Sequence, residues 1–194
     1  MKEIEVLTVI HKRKALLAFL LCIAIGSIAA QKVALKSNLL YDATTTLNVG
    51  LEVGLSPKWS LDLPVNYNPW EFSDNKKLKH WLVQPELRYW FCERFNGHFL
   101  GLHGHASQFN VGGIKLFGLE DSRFEGNLYG GGLSYGYHWI LNTRWSIEAT
   151  IGLGYAYIDY TEYECARCGS EKDKGTRNYF GPTKAGISLI YIIK

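Results

Sequence analysis

The chain has 194 residues, of which 47% are hydrophobic and 20% charged, so it can form one folded domain with a substantial core and does not have the composition of a disordered chain. Twelve Tyr, nine Phe, six Trp and twenty Gly, against a single Met, favour β-structure over a helical bundle. The formal net charge is only +3, and no basic face is evident, so no nucleic-acid partner is predicted.

Residues 1–30 have the pattern of a secretory signal peptide. Basic residues within 11–14 precede the apolar run of residues 15–30, which ends in small residues. The alternative is an uncleaved membrane anchor, but the interrupted run falls short of the ~20 apolar residues that a spanning helix prefers. We therefore expect a Sec-type signal that is cleaved, leaving residues 31–194 as a single domain.

The mature chain alternates apolar and polar residues over eight segments, and strict alternation is the signature of β-strands. The predicted strands cover approximately residues 33–42, 47–55, 59–70, 81–91, 98–110, 128–139, 145–157 and 180–194. Pro64 and Pro85 fall inside two of them, and proline removes a hydrogen bond from the ladder. Irregular pairing is therefore expected at these two prolines.

Short and long connections alternate along the chain. The connections after the second, fourth and sixth strands are short, whereas residues 71–80, 111–127 and 160–178 form long loops after the third, fifth and seventh. Short turns on one side and long loops on the other are typical of bacterial outer-membrane barrels, in which the short turns are periplasmic. The first long loop is basic and could contact lipopolysaccharide phosphates, although a solvated loop explains it equally simply.

All six tryptophans fall at the ends of predicted strands. Tryptophan prefers the level of the lipid headgroups, and the segments 59–70 and 81–90, which have a tryptophan at both ends, have the length that a transmembrane strand needs. The sequence therefore predicts two aromatic girdles made by Trp59, Trp70, Trp81, Trp90, Trp139 and Trp145.

Alternation alone also fits a soluble barrel of the lipocalin type. The polar face here is mostly Gly, Ser and Asn with isolated charges of both signs, which suits a crowded interior better than a surface in water. We expect an interior polar network of Lys36, Asn38, Glu52, Asp62, Glu86, Arg88, Glu148 and Lys184. The predicted fold is all-β: a monomeric, eight-stranded, antiparallel up-and-down transmembrane β-barrel of the small outer-membrane type, with a filled interior and no open pore.

Three stretches carry a resemblance to a known family: LKSNLLYDATTTLNVGLEVGLSPKWSLDL, NYNPWEFSDNKKLKHWLVQPELRYW and FNGHFLGLHGHASQFNVGG. They resemble an outer-membrane barrel family of Bacteroidota that is known only as a domain of unknown function. Its members are often encoded near fimbrillin genes, which implies a role in fimbria assembly, anchoring or surface adhesion. The resemblance implies no catalytic residues and no cofactor. The last strand departs from the usual assembly signal, because Lys194 stands where a terminal Phe is expected.

One cluster leaves an enzymatic alternative open. His103, His105 and Ser107 share one face of the fifth predicted strand, and a histidine can act as the base for a serine in acyl ester hydrolysis. An outer-membrane enzyme acting on lipid A would need this pair to face lipid, whereas the alternation puts His105 and Ser107 in the interior. We therefore expect no enzymatic activity, with lipid A deacylation by His105 and Ser107 as the alternative.

Cys165 and Cys168 lie in the last long loop, three positions apart. They could form a redox motif or half a zinc site, but the loop lacks further zinc ligands and no helix follows. In an oxidising compartment a local disulfide between them is the favoured interpretation, and no metal site is predicted. Cys92 is expected to have no disulfide partner.

Overall fold

The structure is a computed structural model that describes residues 32–71, 76–114, 119–164 and 169–193. In these ranges it contains one short helix and nine strands, all paired antiparallel. The strands are β1 Val33–Asn38, β2 Leu47–Ser56, β3 Trp59–Asn68, β4 Lys77–Val83, β5 Glu86–Trp90, β6 Gly97–Ile114, β7 Leu119–Ile140, β8 Trp145–Tyr163 and β9 Glu171–Ile193; the helix is α1 Leu39–Ala43. Among the residues of these ranges, no helix has the length and apolar composition that crossing a membrane requires.

The strands form a closed ring within the unit Val33–Ile193. Neighbours in the ring are neighbours along the chain, and β1 completes it by pairing with β9 from Val33↔Ile193 to Asn38↔Ser188. Both β4 and β5 lie between β3 and β6. We call the end of the ring with Val33 and Ile193 the lower end, and the end with Asn38 and Leu47 the upper end.

The prediction of eight strands is wrong by one, because the fourth predicted strand is divided into β4 and β5. The break falls at Gln84 and Pro85, where proline has no N–H for the ladder. The register continues across the break, since Gln84 N donates to Pro64 O (3.2 Å) and Gly104 N donates to Pro85 O (3.0 Å). The two segments therefore occupy one position in the ring, and the irregular pairing expected at these prolines is confirmed.

The first strand ends earlier than the alternation predicted. It stops at Asn38, whose side chain accepts a hydrogen bond from Leu40 N (3.1 Å) and caps the helix α1. Leu39 and Tyr41, which were expected in the strand, lie in this helix instead. A local side-chain cap competes here with strand pairing, and period two cannot reveal it.

The hairpins β6–β7 and β8–β9, together with β4, extend beyond the ends of β1, β2 and β3. Residues 111–127 and 160–178, predicted as loops, are largely strand, and the pairing extends up to Ile114↔Leu119 and Tyr163↔Glu171. We call this part of the structure the upper sheet: residues 77–82 of β4, 107–114 of β6, 119–128 of β7, 156–163 of β8 and 171–179 of β9. Its residues 80–82 still pair with the end of β3, and the rest extends beyond β1, β2 and β3.

Below the upper sheet, apolar side chains cover the outer face of the ring. In this part of the ring every strand except β4 has large apolar side chains that are exposed. Examples, one from each of these strands, are Leu35, Leu51, Leu63, Leu87, Leu102, Leu133, Leu153 and Ile187. The inner face is buried and holds most of the charged strand residues, as described below. A small apolar core at the lower end of the interior consists of Ala34, Trp90, Phe95, Phe99 and Ile190. This distribution is the reverse of that in an ordinary water-soluble domain.

Candidate functional site

Three carboxylates lie side by side on the inner face of neighbouring strands. Glu52 of β2 is the direct partner of Asp62 on β3, which is the direct partner of Glu86 on β5. All three are 2% exposed or less. Like charges directly opposite each other destabilise a sheet, so this row needs cations close to it.

Arg88 supplies the central cation. Its guanidinium lies 2.6 Å from Glu86, 2.9 Å from Glu52 and 2.8 Å from Asp62, and it also reaches Glu148 across the ring at 2.8 Å. It is 1% exposed and lies over the ring of Phe99 at 4.3 Å. Five N–H donors in a fixed plane allow one arginine to satisfy several carboxylates at once.

Two lysines complete the network. Lys36 Nζ lies 3.1 Å from Glu52, 3.4 Å from Asp62 and 2.9 Å from Glu148. Lys184 Nζ lies 2.5 Å from Glu86 and 4.0 Å from Asp62. The seven charged residues of the predicted network thus come together, with four carboxylates and three cations.

Asn38, the eighth residue of the predicted network, lies apart from the charges. Its side chain binds the backbone of α1 and of β9, donating to Ala185 O at 3.2 Å and accepting from Ile187 N at 3.3 Å.

The cavity beside the charges, lined among others by Lys36, Arg88 and Glu148, has a volume of only about 40 Å³. Such a space holds only a few water molecules, so the packed ions nearly fill this level of the interior.

Sequence reasoning missed several further polar partners of the network. Trp90 Nε1 donates to Ser60 Oγ (2.8 Å), and Ser60 in turn donates to Glu52 (2.6 Å). Thr150 Oγ1 donates to Glu148 (2.9 Å), and His138 Nδ1 lies 3.7 Å from the same carboxylate. All four residues share the inward parity of their strands, which was the available signal.

Five of the six predicted girdle tryptophans are exposed on the outside: Trp59, Trp70, Trp81, Trp139 and Trp145, with exposed fractions of 39–47%. The prediction is wrong for Trp90, which is fully buried and packs against Phe99 with ring centroids 4.8 Å apart. Trp90 has the same parity as Glu86 and Arg88, so it must point inward. Its position at the end of a strand misled the prediction.

His103, His105 and Ser107 all point into the interior, where each is at most 8% exposed. His103 Nε2 is hydrogen-bonded to Thr183 Oγ1 (2.9 Å), and the Ser107 hydroxyl donates to the carbonyl oxygen of Trp81 (2.7 Å). Because the Ser107 hydroxyl donates its proton to a backbone carbonyl, it does not form the hydrogen bond to His105 that a serine and its catalytic base require.

The upper sheet reverses the polarity of the two faces. Its inner face is lined by half-buried apolar side chains, which we call the apolar lining: Leu82, Phe109, Val111, Phe124, Leu128 and Ile158. Its outer face carries mostly polar groups, among them Asn110, Glu125, Asn127, Asp159, Thr161 and Asn178. In this part of the structure, the interior rather than the exterior offers a surface for apolar groups.

Glu162 lies near the top of the upper sheet and binds two donors. Lys172 Nζ lies 2.7 Å and Ser122 Oγ 3.0 Å from the same carboxylate oxygen. The hydrogen bond from Lys172, followed by that from Ser122, lowers the pKa of Glu162 below the ordinary value of a glutamate.

Of the remaining predicted features, the basic loop at residues 71–80 is shorter than predicted, because residues 77–80 belong to β4. Lys79 of this strand pairs with Glu71 at 2.6 Å. Cys92 is exposed with a free thiol. The predicted disulfide of Cys165 and Cys168 lies outside the described residues, as does the predicted signal peptide. In the part of the chain that the structure describes, no group of three or more metal-ligating side chains is present.

The comparisons with known proteins bear on the family alone. No curated protein and no solved structure has a significant match to the chain. One family model matches residues 16–193, nearly the whole sequence and every strand of the ring. The chain therefore belongs to the family described as "Protein of unknown function (DUF3575)".

Proposed function

We propose that residues 31–194 form a small transmembrane β-barrel of the Gram-negative outer membrane, with a structural or interaction role and no enzymatic activity. The observation that carries this proposal is the reversed polarity of the closed ring, with exposed leucines outside and paired ions inside. Hydrocarbon stabilises such an outer face, and a closed ring leaves no unpaired strand edge in lipid. Residues 1–30 are the signal that directs export.

A continuous apolar row supports the membrane location. Val33, Val53, Leu61, Leu87, Leu102, Leu133 and Leu153 are consecutive cross-strand partners on the outer face of seven strands. Leu102, Leu133 and Leu153 are 57–65% exposed. A water-soluble monomer rarely exposes an apolar belt of this extent, which would promote aggregation in water.

Reconstitution tests the membrane location. The mature chain, folded into phosphatidylcholine vesicles, should stay with the lipid after alkaline washing. It should also migrate differently on a denaturing gel before and after boiling, as closed outer-membrane barrels do. A compact monomer that stays dissolved without detergent would contradict the proposal.

The packed interior supports a sealed barrel. Eight strand positions leave room for little more than side chains, and here the side chains are large and paired. We therefore expect no stable channels in a planar lipid bilayer. Large, regular conductance steps from the purified protein would instead indicate a porin.

The upper sheet is the proposed site of interaction, outside the cell, with lipopolysaccharide or with a surface-fibre or other cell-surface protein. It rises above the apolar belt and has a polar outer face. The family resemblance adds the association with fimbriae. Pull-down from outer membranes should recover a partner with the wild type but not with a variant in which the β8–β9 hairpin is shortened.

The enzymatic alternative is tested directly by acyl release from lipid A. We expect none with either the wild type or Ser107→Ala, because the Ser107 hydroxyl faces the interior and is hydrogen-bonded to Trp81. Release by the wild type that is lost in Ser107→Ala would establish a lipid A deacylase instead.

A further inference from the structure

β9 has an unpaired edge along its upper half. β8 pairs with β9 from Glu171 to Tyr191, whereas β1 pairs with it only from Ser188 to Ile193. Among the described strands, none pairs with the second edge of residues 171–184. A row of unpaired backbone N–H and C=O groups is a template for an additional strand.

The direction of the backbone groups follows from the contacts of β9 with β1. Ala185 O and Ile187 N both bond the Asn38 side chain, so odd-numbered residues face β1 there. A bulge opposite Gly152 and Leu153 adds one residue to β9 and shifts this alternation. Above the bulge the even-numbered residues Thr176 and Asn178 therefore present their N–H and C=O groups to the free edge.

Pro182 agrees with this assignment. It belongs to the even-numbered set above the bulge, and proline has no N–H to offer a neighbouring strand. Within sheets, proline is tolerated where the N–H would face an open edge rather than a partner. The free edge that can accept a strand thus extends from the bulge upward, through Phe180, Asn178, Thr176 and Lys174.

The two faces of the upper sheet specify what such a strand would carry. Alternate residues of an added strand point to the inner face, over the apolar lining, and to the polar outer face. Arg177 is exposed on the inner side of β9, where it can meet one acidic side chain. A lipid chain could cover the apolar lining but could not bond the backbone edge.

We propose that the upper sheet binds an extended peptide segment of another protein, which adds as a strand to the free edge of β9. Its apolar residues cover the apolar lining, and its polar residues join the outer face. Main-chain hydrogen bonds supply the affinity in this mode, and alternate side chains supply the specificity. The inference rests on the proposed function, which exposes the upper sheet to the outside of the cell.

The test uses the mature chain in phosphatidylcholine nanodiscs, after heat-modifiable migration has shown that it is folded and inserted. The probe is a fluorescent peptide of roughly ten residues, a usual strand length, in which valine and threonine alternate around one central glutamate. A peptide of the same composition, with its valines in one block, is the control. We expect saturable binding of the alternating peptide alone.

Amide hydrogen exchange identifies where the peptide binds. Strand addition should slow exchange at Thr176, Asn178 and Phe180, whose N–H groups face the edge, and leave the already bonded Arg177 and Tyr179 unchanged. Binding without this alternating protection would mean that only the apolar lining is used, and it would overturn the proposal. A dimer protected at the same positions without peptide would overturn it in favour of a second copy of the chain.

Paired variants separate the edge from the lining. Thr176→Pro removes one edge N–H and should weaken binding about tenfold, whereas Thr176→Val keeps that N–H and should bind as the wild type does. Leu128→Asp should abolish binding, whereas Asn127→Asp, on the outer face, should not. Failure of the chain to insert would refute the membrane proposal; insertion without peptide binding would refute this inference alone.

Discussion

The guanidinium of Arg88 on β5 donates two hydrogen bonds, of 2.8 Å and 3.1 Å, to the carboxylate of Glu148 on β8 across the interior of the ring. The two strands are not neighbours in the sheet. This bidentate pair therefore joins opposite sides of the ring, and both residues are 1% exposed. Backbone hydrogen bonds hold each strand to its neighbours, whereas the ion pair holds the ring together across its centre.

Replacing Arg88 by methionine should destabilise the protein strongly. Four carboxylates would be left with only the two lysines, and breaking a buried ion pair costs about 3–5 kcal/mol. Urea unfolding in lipid vesicles measures the change. Arg144→Met, at an exposed turn residue, is the control and should change the free energy of unfolding by less than about 0.5 kcal/mol.

The coupling of Arg88 to Glu148 can be measured by a double-mutant cycle. Because Glu148→Gln removes one of the carboxylates that lose their arginine partner in Arg88→Met, the double variant should lose less stability than the sum of the two single variants, by about 1–3 kcal/mol. Strictly additive losses would mean that the two side chains do not interact in the folded protein.

The effect on stability of an arginine placed on the outer face should depend on whether its position lies inside or above the proposed membrane. Leu153→Arg lies in the apolar belt and should destabilise the protein in vesicles by about 2–4 kcal/mol. Thr161→Arg lies on the same face of β8 but in the upper sheet, above the proposed membrane, and should have little effect. Equal costs at the two positions would contradict the proposed membrane level.

The burial of Trp90 is tested by fluorescence. In single-tryptophan variants, brominated lipids should quench Trp139, which is 47% exposed on the outer face, but not Trp90, which is fully buried. Trp90→Ala should also cost about 3–5 kcal/mol, because it empties the apolar core at the lower end of the interior. Quenching of Trp90 by the brominated lipids would show instead that its side chain faces the membrane as part of the aromatic girdle.

The carboxyl of Glu162 should titrate below an ordinary glutamate. Its lowered pKa stabilises the upper sheet at pH values above the pKa of the unfolded chain, and this stabilisation disappears as the pH falls through the lowered pKa. Lys172→Met should raise the pKa of Glu162, measured by NMR titration. Lys174→Met, whose lysine pairs with Glu171 at 2.9 Å, should leave it unchanged.

Alternation was enough to predict an antiparallel all-β fold and to select the charged residues that meet in the interior. It depends only on which side of a strand each residue faces, so Glu52, Arg88 and Glu148 could be grouped without knowing the pairing. The same rule, applied to Trp90, would have placed it inside. The upper sheet was missed because its apolar residues face inward and its polar residues outward, opposite to the strands below. The polar residues of these segments were therefore interpreted as loops.

The sequence by itself determined that the strands are two-faced and that one face collects ions of both signs, because the alternation of side chains is a local property of an extended chain. Only the tertiary structure decided which strands pair and that β9 rises past β1 and leaves an edge open. These features depend on register and on strand length relative to a neighbour, and both are set by contacts between residues far apart in the chain.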